Sequence, residues 1–542
     1  MKGAAILAPS AAGLAVCLGL GGLLIKSAGP TYDEPVHLAS GYSGLVRGRP
    51  LNWRNHPPLA EMWAALPLLA LRPALLETGR EWHDGIYGYA DAFLYQNRVA
   101  PERLLDSARF WCLLSWSALL LPAVAAWAYA LGGAPAAWVG ALLLAACPAW
   151  FTNAALVTTD AAPAAFYFLA FFFLSRPGRG LGLWAVAGAD AGLACASKFN
   201  MIAAPAFMAA ALAAERRLVK PRSRLGSGPW LAAAIAVVCV IAAYRGDWAR
   251  YWGGLTMTFS RLNEGRSGFL AGRYSLTGWL WYFPAAVALK TPLAFLLLAA
   301  GGVALRARKP DADGLWLAAP AAVYFAAACA SKTQIGYRHV LPVYPFLAVL
   351  GGCAAARLWA SARGKAVLAA AFLWLAVDLA RTGPHYLAYF NELAGGPERG
   401  WTWLADSNLD WGQDLKSLAE ELHKRGDPPI FLSYFGVGDP SAYGIRYFPV
   451  AWFTNVLRRD GVVLPSPKDR VLLAVSATNL DGVYYADHDA FAWLRARTPV
   501  AVPGHSIFLY DLTADPDGRT RLGALLTALK APPELAKRTA GP

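Results

Sequence analysis

The chain is poor in charged residues. Aspartate, glutamate, lysine and arginine make up only 15% of its 542 residues, whereas 57% are hydrophobic. Soluble proteins carry about a quarter charged residues. Apolar runs long enough to cross a bilayer recur along the sequence, which argues against a soluble enzyme and predicts a polytopic α-helical membrane protein.

Cysteine is also scarce, and it is badly placed for cross-links. All seven cysteines fall inside apolar runs, and no two of them form a CxxC pair. This pattern argues against a disulfide framework and against a zinc site built on cysteine.

Several signatures of well-known enzyme classes are missing. The sequence has no Walker A motif, no GxSxG elbow, no HExxH pair and no glycine-rich dinucleotide fingerprint after a strand. A nucleotide-driven pump, a serine hydrolase and a zinc protease would each need one of these motifs. The protein is therefore expected to use another kind of chemistry.

About eleven membrane spans are predicted from the apolar runs. The first run follows a single Lys2 and lacks a convincing cleavage site before residue 33, so we interpret it as a retained span rather than a signal peptide. The predicted spans lie near 4–25, 105–131, 135–150, 158–174, 181–196, 199–214, 229–245, 287–305, 314–330, 339–358 and 365–381.

The net charge of +14 comes largely from short loops between these spans, which does not point to nucleic acid. With the N-terminus in the cytoplasm, four basic loops fall on the inner side, as the positive-inside rule requires. Residues 26–104, 246–286, 331–338 and everything after 382 then fall outside. The basic residues of the inner loops are Arg176, Arg179, Arg216, Arg217, Lys220, Arg222, Arg224, Arg306, Arg308, Lys309, Arg357, Arg363 and Lys365.

The composition changes after Arg381. We therefore divide the chain into a transmembrane domain, residues 1–381, and a soluble extracytoplasmic α/β domain, residues 382–542. The second domain contains a predicted helix at 414–424 and predicted strands at 430–435, 471–475 and 506–510.

The first outer loop, residues 26–104, contains two amphipathic segments. Residues 34–46 and 58–71 are each apolar on one side. Both are therefore predicted to lie along the membrane surface as interfacial helices.

Two adjacent carboxylates, Asp33 and Glu34, directly follow the first apolar run. Acidic groups gain nothing from phospholipid headgroups, so they are poorly placed to anchor a helix. Low-dielectric walls raise the pKa of a carboxylate and strengthen its field on a substrate, so they are well placed for chemistry. His37 shares a face with Asp33 if this segment is helical. A helix cap at a solvated corner is the simpler interpretation.

Two more polar residues lie at the outer ends of predicted spans. Asp160 lies at the same depth as Asp33, although as the N-cap of the following helix it would need no catalytic role. Lys198 lies at the outer end of a helical hairpin. It could bind a lipid phosphate or reach the headgroups.

Positive charge on the outer side runs against the positive-inside trend. Lys332, Arg338 and His339 cluster in one short outer loop. An anionic ligand would explain this cluster. The outer loop 246–286 is also basic and aromatic, and it could either bind a lipid phosphate or form an interfacial belt.

Together these residues resemble the protein O-mannosyltransferase type of the GT-C superfamily, a group of polyprenyl-phosphate-dependent membrane glycosyltransferases. The resemblance rests on Asp33-Glu34, on the motif His56-Pro57-Pro58-Leu59, and on an acid at the start of a later outer loop, Asp160. The segments 337–345 (YRHVLPVYP) and 406–414 (DSNLDWGQD) resemble segments of bacterial members of glycosyltransferase family 39.

This resemblance implies a hexosyl- or pentosyltransferase of the bacterial inner membrane. It implies a sugar donor on dolichyl or undecaprenyl phosphate, inverting transfer on the outer face, and an acidic base. Asp33 is then the candidate general base, Glu34 supports it, and Asp160 is a second acid of the pocket. The implied donor-phosphate residues are His56, Lys198, Lys332, Arg338 and His339, and the other implied pocket residues are His37 and Tyr337.

The resemblance does not name the acceptor. The chain carries only the loop 246–286 where the eukaryotic enzymes have a sugar-binding insert, and its C-terminal domain is not part of their pattern. A protein, a lipid and a glycan therefore all fit as acceptors. Three acids also leave room for a divalent metal ion, although no ligand spacing predicts one.

Two other functions fit the composition. A proton-coupled transporter or flippase of a lipid-linked substrate would have acids in the middle of spans and internal repeats. Only Asp190 and Asp378 lie well inside predicted spans, and we find no repeat. A non-catalytic scaffold would keep its function when Asp33 is replaced by asparagine. The prominent acids lie at the outer rim, which favours the enzyme.

Overall fold

The computed structural model describes residues 3–76, 85–219, 221–223, 225–308, 311–451, 462–466 and 469–540. Of the basic residues assigned above to inner loops, Lys220, Arg224 and Lys309 lie outside the described residues.

Most of the described chain is helical. The helices up to residue 219 are α1 (Ala4–Ser27), α2 (Glu34–Arg47), α3 (Pro58–Ala64), α4 (Leu68–Leu71), α5 (Gly85–Tyr95), α6 (Pro101–Ala145), α7 (Pro148–Ala155), α8 (Ala161–Leu174), α9 (Leu181–Cys195) and α10 (Ala204–Leu218). The later helices are α11 (Gly228–Ala243), α12 (Trp248–Glu264), α13 (Tyr282–Lys290), α14 (Leu293–Ala307), α15 (Ala312–Cys329), α16 (Tyr344–Leu358), α17 (Ala362–Thr382), α18 (Leu415–His423), α19 (Ala477–Leu480), α20 (Pro516–Ala528) and α21 (Pro533–Ala540).

Within the described residues, four helical segments are long and apolar enough to cross a membrane. They are α1, α6, α15 and Tyr337–Leu358, in which a 3-10 turn leads into α16. The number rises to six if two bent pairs, α11 with α12 and α13 with α14, each form one span. Fewer helices than the eleven predicted spans reach full length, because several apolar runs are short or bent. The protein is a helical membrane protein.

The long helix α6 folds back on itself at Gly133. This residue has φ 70° and ψ −162°, a conformation with positive φ that glycine adopts readily. A Cβ atom on Gly140 would lie 3.3 Å from the Cβ of Ala128, whereas this stretch of straight helix would be about 18 Å long. The two arms therefore pack against each other, and they correspond to the predicted spans 105–131 and 135–150.

Helix α2 is buried rather than laid on a membrane surface. Every residue from Glu34 to Gly44 is buried, and α2 packs against α3 and α5. At Gly41 a Cβ atom would lie 2.0 Å from the carbonyl oxygen of Glu61, so only glycine permits this approach. The prediction of an interfacial helix at 34–46 is therefore wrong. Polar side chains that face other polar side chains give the same sequence pattern as polar side chains that face water.

The region after residue 382 contains a four-stranded sheet in the order β4-β3-β5-β6. Strand β3 runs parallel to β4 and β5, and β6 is antiparallel to β5. Three strands and α18 lie close to where short apolar runs and helical periodicity predicted them. A separate hairpin lies in the loop 246–286. The strands are β1 (Gly268–Leu270), β2 (Arg273–Ser275), β3 (Ile430–Ser433), β4 (Tyr447–Pro449), β5 (Leu472–Ser476) and β6 (Ile507–Asp511).

A buried ion pair ties the first outer loop to α6. Arg109 donates through Nε and Nη2 to the Glu34 carboxylate at 2.8 and 2.6 Å, and neither side chain is exposed. The guanidinium also donates to the carbonyls of residues 28–29 at 2.8 and 2.6 Å. The backbone N–H groups of Thr31 and Val157 donate to the same carboxylate at 2.9 Å each. The pair therefore joins α1, α2, α6 and the segment before α8.

Replacing Glu34 by glutamine should destabilise the protein strongly. The change leaves the Arg109 charge buried without a carboxylate, and breaking a buried pair in this way costs about 3–5 kcal/mol. The measurement is the apparent unfolding temperature of the purified protein in detergent. The matched control is Asp517→Asn, whose side chain is 59% exposed and pairs with arginines at the surface, where little change is expected. An unchanged unfolding temperature in E34Q would contradict the anchoring role.

Candidate active site

A cavity of about 730 Å³ lies among the first outer loop, α12 and the segment before α16. One part of its wall is polar and includes Asp33, His56, Lys198 and Arg338. A cavity lined by both charged and apolar side chains fits an amphipathic ligand. The apolar part includes Ile86, Phe199, Phe207, Leu262, Phe283 and Ala328.

Arg338 joins the two acids that the sequence places at the same depth. Its Nη1 lies 3.3 Å from Asp33 Oδ2 and 3.4 Å from Asp160 Oδ2. Lys198 donates to the other oxygen of Asp160. Four residues that the sequence singles out one by one therefore form a single charge network, although Asp33 and Arg338 are 305 positions apart.

The three candidate acids differ in their access to the cavity. The Asp33 side chain is 26% exposed, whereas that of Asp160 is 1% exposed and is bound by two cations. Burial alone would raise the pKa of Asp160, but Lys198, Arg338 and His339 together hold it well below its usual range. Asp33 is therefore the acid that a substrate can touch, and Asp160 holds the cations in place.

Glu34 does not line the cavity. Its carboxylate accepts from Arg109 and from the backbone N–H groups of residues 31 and 157, and it is not part of the cavity wall. The expectation that it supports Asp33 as a catalytic acid is corrected by this placement. The two adjacent side chains leave the backbone in different directions, and only Asp33 points to the cavity.

A buried polar network centred on Glu61 lies next to the cavity. Glu61 Oε1 accepts from Asn52 Nδ2 at 2.8 Å and lies 2.8 Å from His37 Nδ1, and its Oε2 accepts from Ser40 Oγ at 2.6 Å. Glu61 is 1% exposed and is not among the site residues predicted from the sequence. An acid three positions after the His-Pro-Pro motif is the signal that could have found it.

His37 and His56 are in contact, with ring centroids 5.0 Å apart, but their surroundings act in opposite directions. Burial lowers the pKa of His37, yet the hydrogen bond and charge of Glu61 outweigh burial and raise it. Burial lowers the pKa of His56 well below its ordinary value, and the charges of His37 and Lys198 lower it further. Glu61 therefore favours the protonated form of His37, whereas the surroundings of His56 favour its neutral form.

The other predicted site residues divide into two groups. His339 lines the cavity, and its Nε2 has no hydrogen-bond partner among the described residues. Lys332 lies outside the cavity wall and donates to the carbonyl of residue 263 at 3.1 Å. Tyr337 is buried behind the wall, with its hydroxyl 3.3 Å from Thr152 Oγ1. Lys332 and Tyr337 therefore do not line the cavity.

Two further arginines from the loop 246–286 line the cavity. Arg261 on α12 donates to the side-chain oxygen of Asn55. Arg266 lies over the ring of Tyr484, 5.1 Å from its centroid. With the two cations bound to Asp160, they bring to four the lysine and arginine side chains that line the cavity within the described residues. This field favours a ligand that carries phosphate charge.

The carboxylates of the site do not converge on an open metal-binding position. Asp33 and Asp160 meet at a guanidinium instead. Across the part of the chain that the structure describes, no group of three or more His, Cys, Asp and Glu side chains could hold a metal ion. The described side chains of the site therefore do not fit the divalent metal ion for which the sequence left room.

The pair of His37 and Glu61 predicts a pH-dependent stability. Because the folded-state pKa of His37 is raised above 6.5, the pair contributes fully below pH 6.5 and its contribution is lost as the pH rises through the folded pKa. The apparent unfolding temperature should fall as the pH is raised above 6.5. The lowered pKa of His56 has the opposite effect on stability, because it makes the folded protein less stable as the pH falls below 6.5.

The fall should be smaller in Glu61→Gln. That change removes the charge and the carboxylate hydrogen bond that raise the pKa of His37 most, so only the charges of Asp33 and Asp160 still oppose the effect of burial. His423→Gln is the matched control, since the His423 side chain is 82% exposed. Equal slopes in wild type and E61Q would contradict the assignment.

Residues 104–244 match the model of the family described as dolichyl-phosphate-mannose-protein mannosyltransferase. The match spans about a quarter of the chain and contains Asp160 and Lys198, but neither Asp33 nor Arg338. None of the curated proteins matches the chain in sequence.

The fold is similar to several solved structures. ArnT from Cupriavidus metallidurans bound to undecaprenyl phosphate is 16% identical, with a TM-score of 0.49 over 93% of this chain and 98% of that chain. The apo oligosaccharyltransferase of Archaeoglobus fulgidus is 12% identical, with a TM-score of 0.49 over 90% of this chain and 71% of that chain. The family model confirms, over residues 104–244, the resemblance of this chain to the protein O-mannosyltransferases of the GT-C superfamily.

Proposed function

We propose that the protein is a membrane glycosyltransferase that moves a sugar from a polyprenyl-phosphate donor to an acceptor hydroxyl. The observation that carries this proposal is a partly exposed carboxylate, Asp33, in a cavity that combines lysine and arginine side chains with an apolar wall. Each feature suits one part of the reaction, because the carboxylate suits a base, the cations suit a phosphate and the apolar wall suits a lipid chain.

The proposed reaction is a single displacement. The acceptor hydroxyl gives its proton to the Asp33 carboxylate, and its oxygen attacks the anomeric carbon of the donor. The bond between that carbon and the phosphate oxygen breaks, and its electron pair leaves with the phosphate. Because attack and departure take place on opposite sides of the carbon, the configuration inverts and no covalent enzyme intermediate forms.

The leaving phosphate gains negative charge as this bond breaks. Lys198 and Arg338 are held by the buried Asp160, so their charges are in place before the reaction starts. Cations fixed in this way stabilise developing charge without reorganisation. A phosphate compensated by cations leaves without a general acid, and no step uses a metal ion.

Asp33→Asn should lower the rate of release of free polyprenyl phosphate by about 10²–10⁴-fold, because an amide cannot accept the acceptor's proton. The measurement uses purified protein in detergent and a panel of polyprenyl-phosphate sugars with hydroxyl acceptors. The matched control is Asp247→Asn, whose side chain is 39% exposed and caps α12 away from the cavity. A parallel reaction with a chelator tests for a divalent ion.

Near wild-type release by a folded D33N protein would show that Asp33 is not the base. Failure of the wild type to bind or turn over any donor would overturn the proposed function. The transporter alternative would then be tested by translocation of the same lipids.

The proposed reaction lies on the outer face of a bacterial inner membrane, an orientation that rests on the basic loops. A cysteine in place of Leu529 should therefore react with a membrane-impermeant maleimide in intact cells, whereas Arg308→Cys should not. Both positions are exposed, and the seven native cysteines are buried or partly buried, which keeps the background low. The opposite labelling pattern would place the cavity on the cytoplasmic side and would contradict a reaction on the outer face.

A further inference from the structure

The segment 406–413 (DSNLDWGQ), here called the floor segment, contacts the candidate active site through Arg338 although it belongs to the C-terminal region. Its carbonyl at Trp411 accepts from the N–H of Tyr32 at 2.8 Å, and its carbonyl at Gln413 accepts from the N–H of Gly29 at 2.7 Å. Tyr32 immediately precedes Asp33. The floor segment is therefore bonded to the loop that presents the candidate base.

The floor segment also supports Arg338. The guanidinium lies 4.0 Å from the centroid of the Trp411 ring, and its Nε donates to Ser407 Oγ at 3.1 Å. Trp411 is 2% exposed, so this cation–π contact is shielded from water. Such contacts are strongest when they are desolvated.

Buried hydrogen bonds hold the floor segment on both sides. Asn408 is fully buried, accepts from the N–H of Tyr337 at 2.9 Å and donates to the hydroxyl of Tyr282 at 2.9 Å. On the sheet side, Asp410 Oδ2 accepts from the N–H of Thr478 at 2.8 Å, just after β5. The segment is therefore a fixed connection between the sheet and the transmembrane helices.

A second cavity arginine is supported by the same region. The Tyr484 hydroxyl donates to Asp406 of the floor segment, and the Tyr484 ring lies beneath Arg266. Two of the four cationic side chains of the cavity therefore rest on aromatic rings from the C-terminal region.

The contacts of Arg338 with its two acids are unusually open. Both run through one nitrogen at 3.3 and 3.4 Å, whereas Arg109 in the same protein closes on Glu34 with two nitrogens at 2.6 and 2.8 Å. Guanidinium–carboxylate bonds usually measure about 2.7–2.9 Å. The guanidinium instead contacts the ring of Trp411 and the Ser407 hydroxyl, and the side chains of Arg338 and Asp33 both remain partly exposed.

We propose that Trp411 and Ser407 are positioning residues that hold Arg338 open for the donor phosphate. The C-terminal region is then part of the active site rather than a separate module. This inference rests on the proposed function, because it takes the anion of the cavity to be a lipid phosphate.

The test is the affinity of the full-length protein for undecaprenyl phosphate in detergent. Trp411→Leu should weaken binding by about tenfold, and Trp411→Phe should restore most of it because a ring face remains. Trp401→Leu is the matched control. Trp401 belongs to the same region and packs against Phe508 at 5.3 Å, away from the cavity wall.

A coupling measurement separates positioning from a general structural effect. In an Arg338→Ala background, Trp411→Leu should cause no further loss of affinity, because the group it positions is already gone. An equal further loss in that background would overturn the proposal, as would wild-type affinity in a folded W411L protein.

Ser407→Ala gives the same test if W411L does not fold. It removes only a hydroxyl that accepts from Arg338 Nε and donates to the carbonyl oxygen of residue 335. Weaker binding in S407A that disappears in the Arg338→Ala background supports the proposal, and unchanged binding overturns it. Absence of binding in the wild type would overturn the proposed function together with this inference. Normal binding in W411L and S407A, with D33N inactive, would overturn the inference alone.

Discussion

The geometry of the site depends on one buried carboxylate. Glu34 receives the guanidinium of Arg109 and the backbone N–H groups of residues 31 and 157. Asp33 is the residue before Glu34, and Asp160 follows three positions after residue 157. Both acids of the charge network therefore start from backbone that this carboxylate holds. Desolvating two charges is costly, and the complete set of hydrogen bonds around them is what offsets that cost.

The protein uses the same pair of chemical groups in two different ways. Arg109 and Glu34 form a closed pair with no exposed surface, so their charges are satisfied and serve the fold. Arg338 meets two carboxylates at longer distances, and its side chain and that of Asp33 remain partly exposed to the cavity. Charges that are not fully satisfied by the protein are the ones that can act on a substrate.

The sequence was enough to predict the residues of the charge network, but not their roles. Asp33, Asp160, Lys198 and Arg338 stood out because topology placed charges on the outer side of the membrane, and the structure brings all four together. The same reasoning included Lys332, which lies outside the cavity wall. Depth in a membrane is readable from apolar runs, whereas the direction of a side chain depends on packing partners far along the chain.

Glu34, Glu61 and α2 show this limit most clearly. The partner of Glu34 lies 75 positions away on a different helix, and nothing in the local sequence distinguishes it from Asp33. Glu61 and α2 form a polar interior in a segment that looked like a surface helix. The strands β3, β5 and β6 were easier to predict, because a short apolar run is a local property.

The boundary predicted at residue 381 marks a change in composition, and the contacts of the site cross it. Arg338 belongs to the transmembrane part, yet its ring support and one of its acceptors come from residues 411 and 407. Asp33 belongs to the first outer loop, yet the N–H beside it is bonded to the same segment. A chain cut at the compositional boundary would keep every charged residue of the network and lose the groups that hold Arg338 open. The unit that builds the site therefore includes both regions.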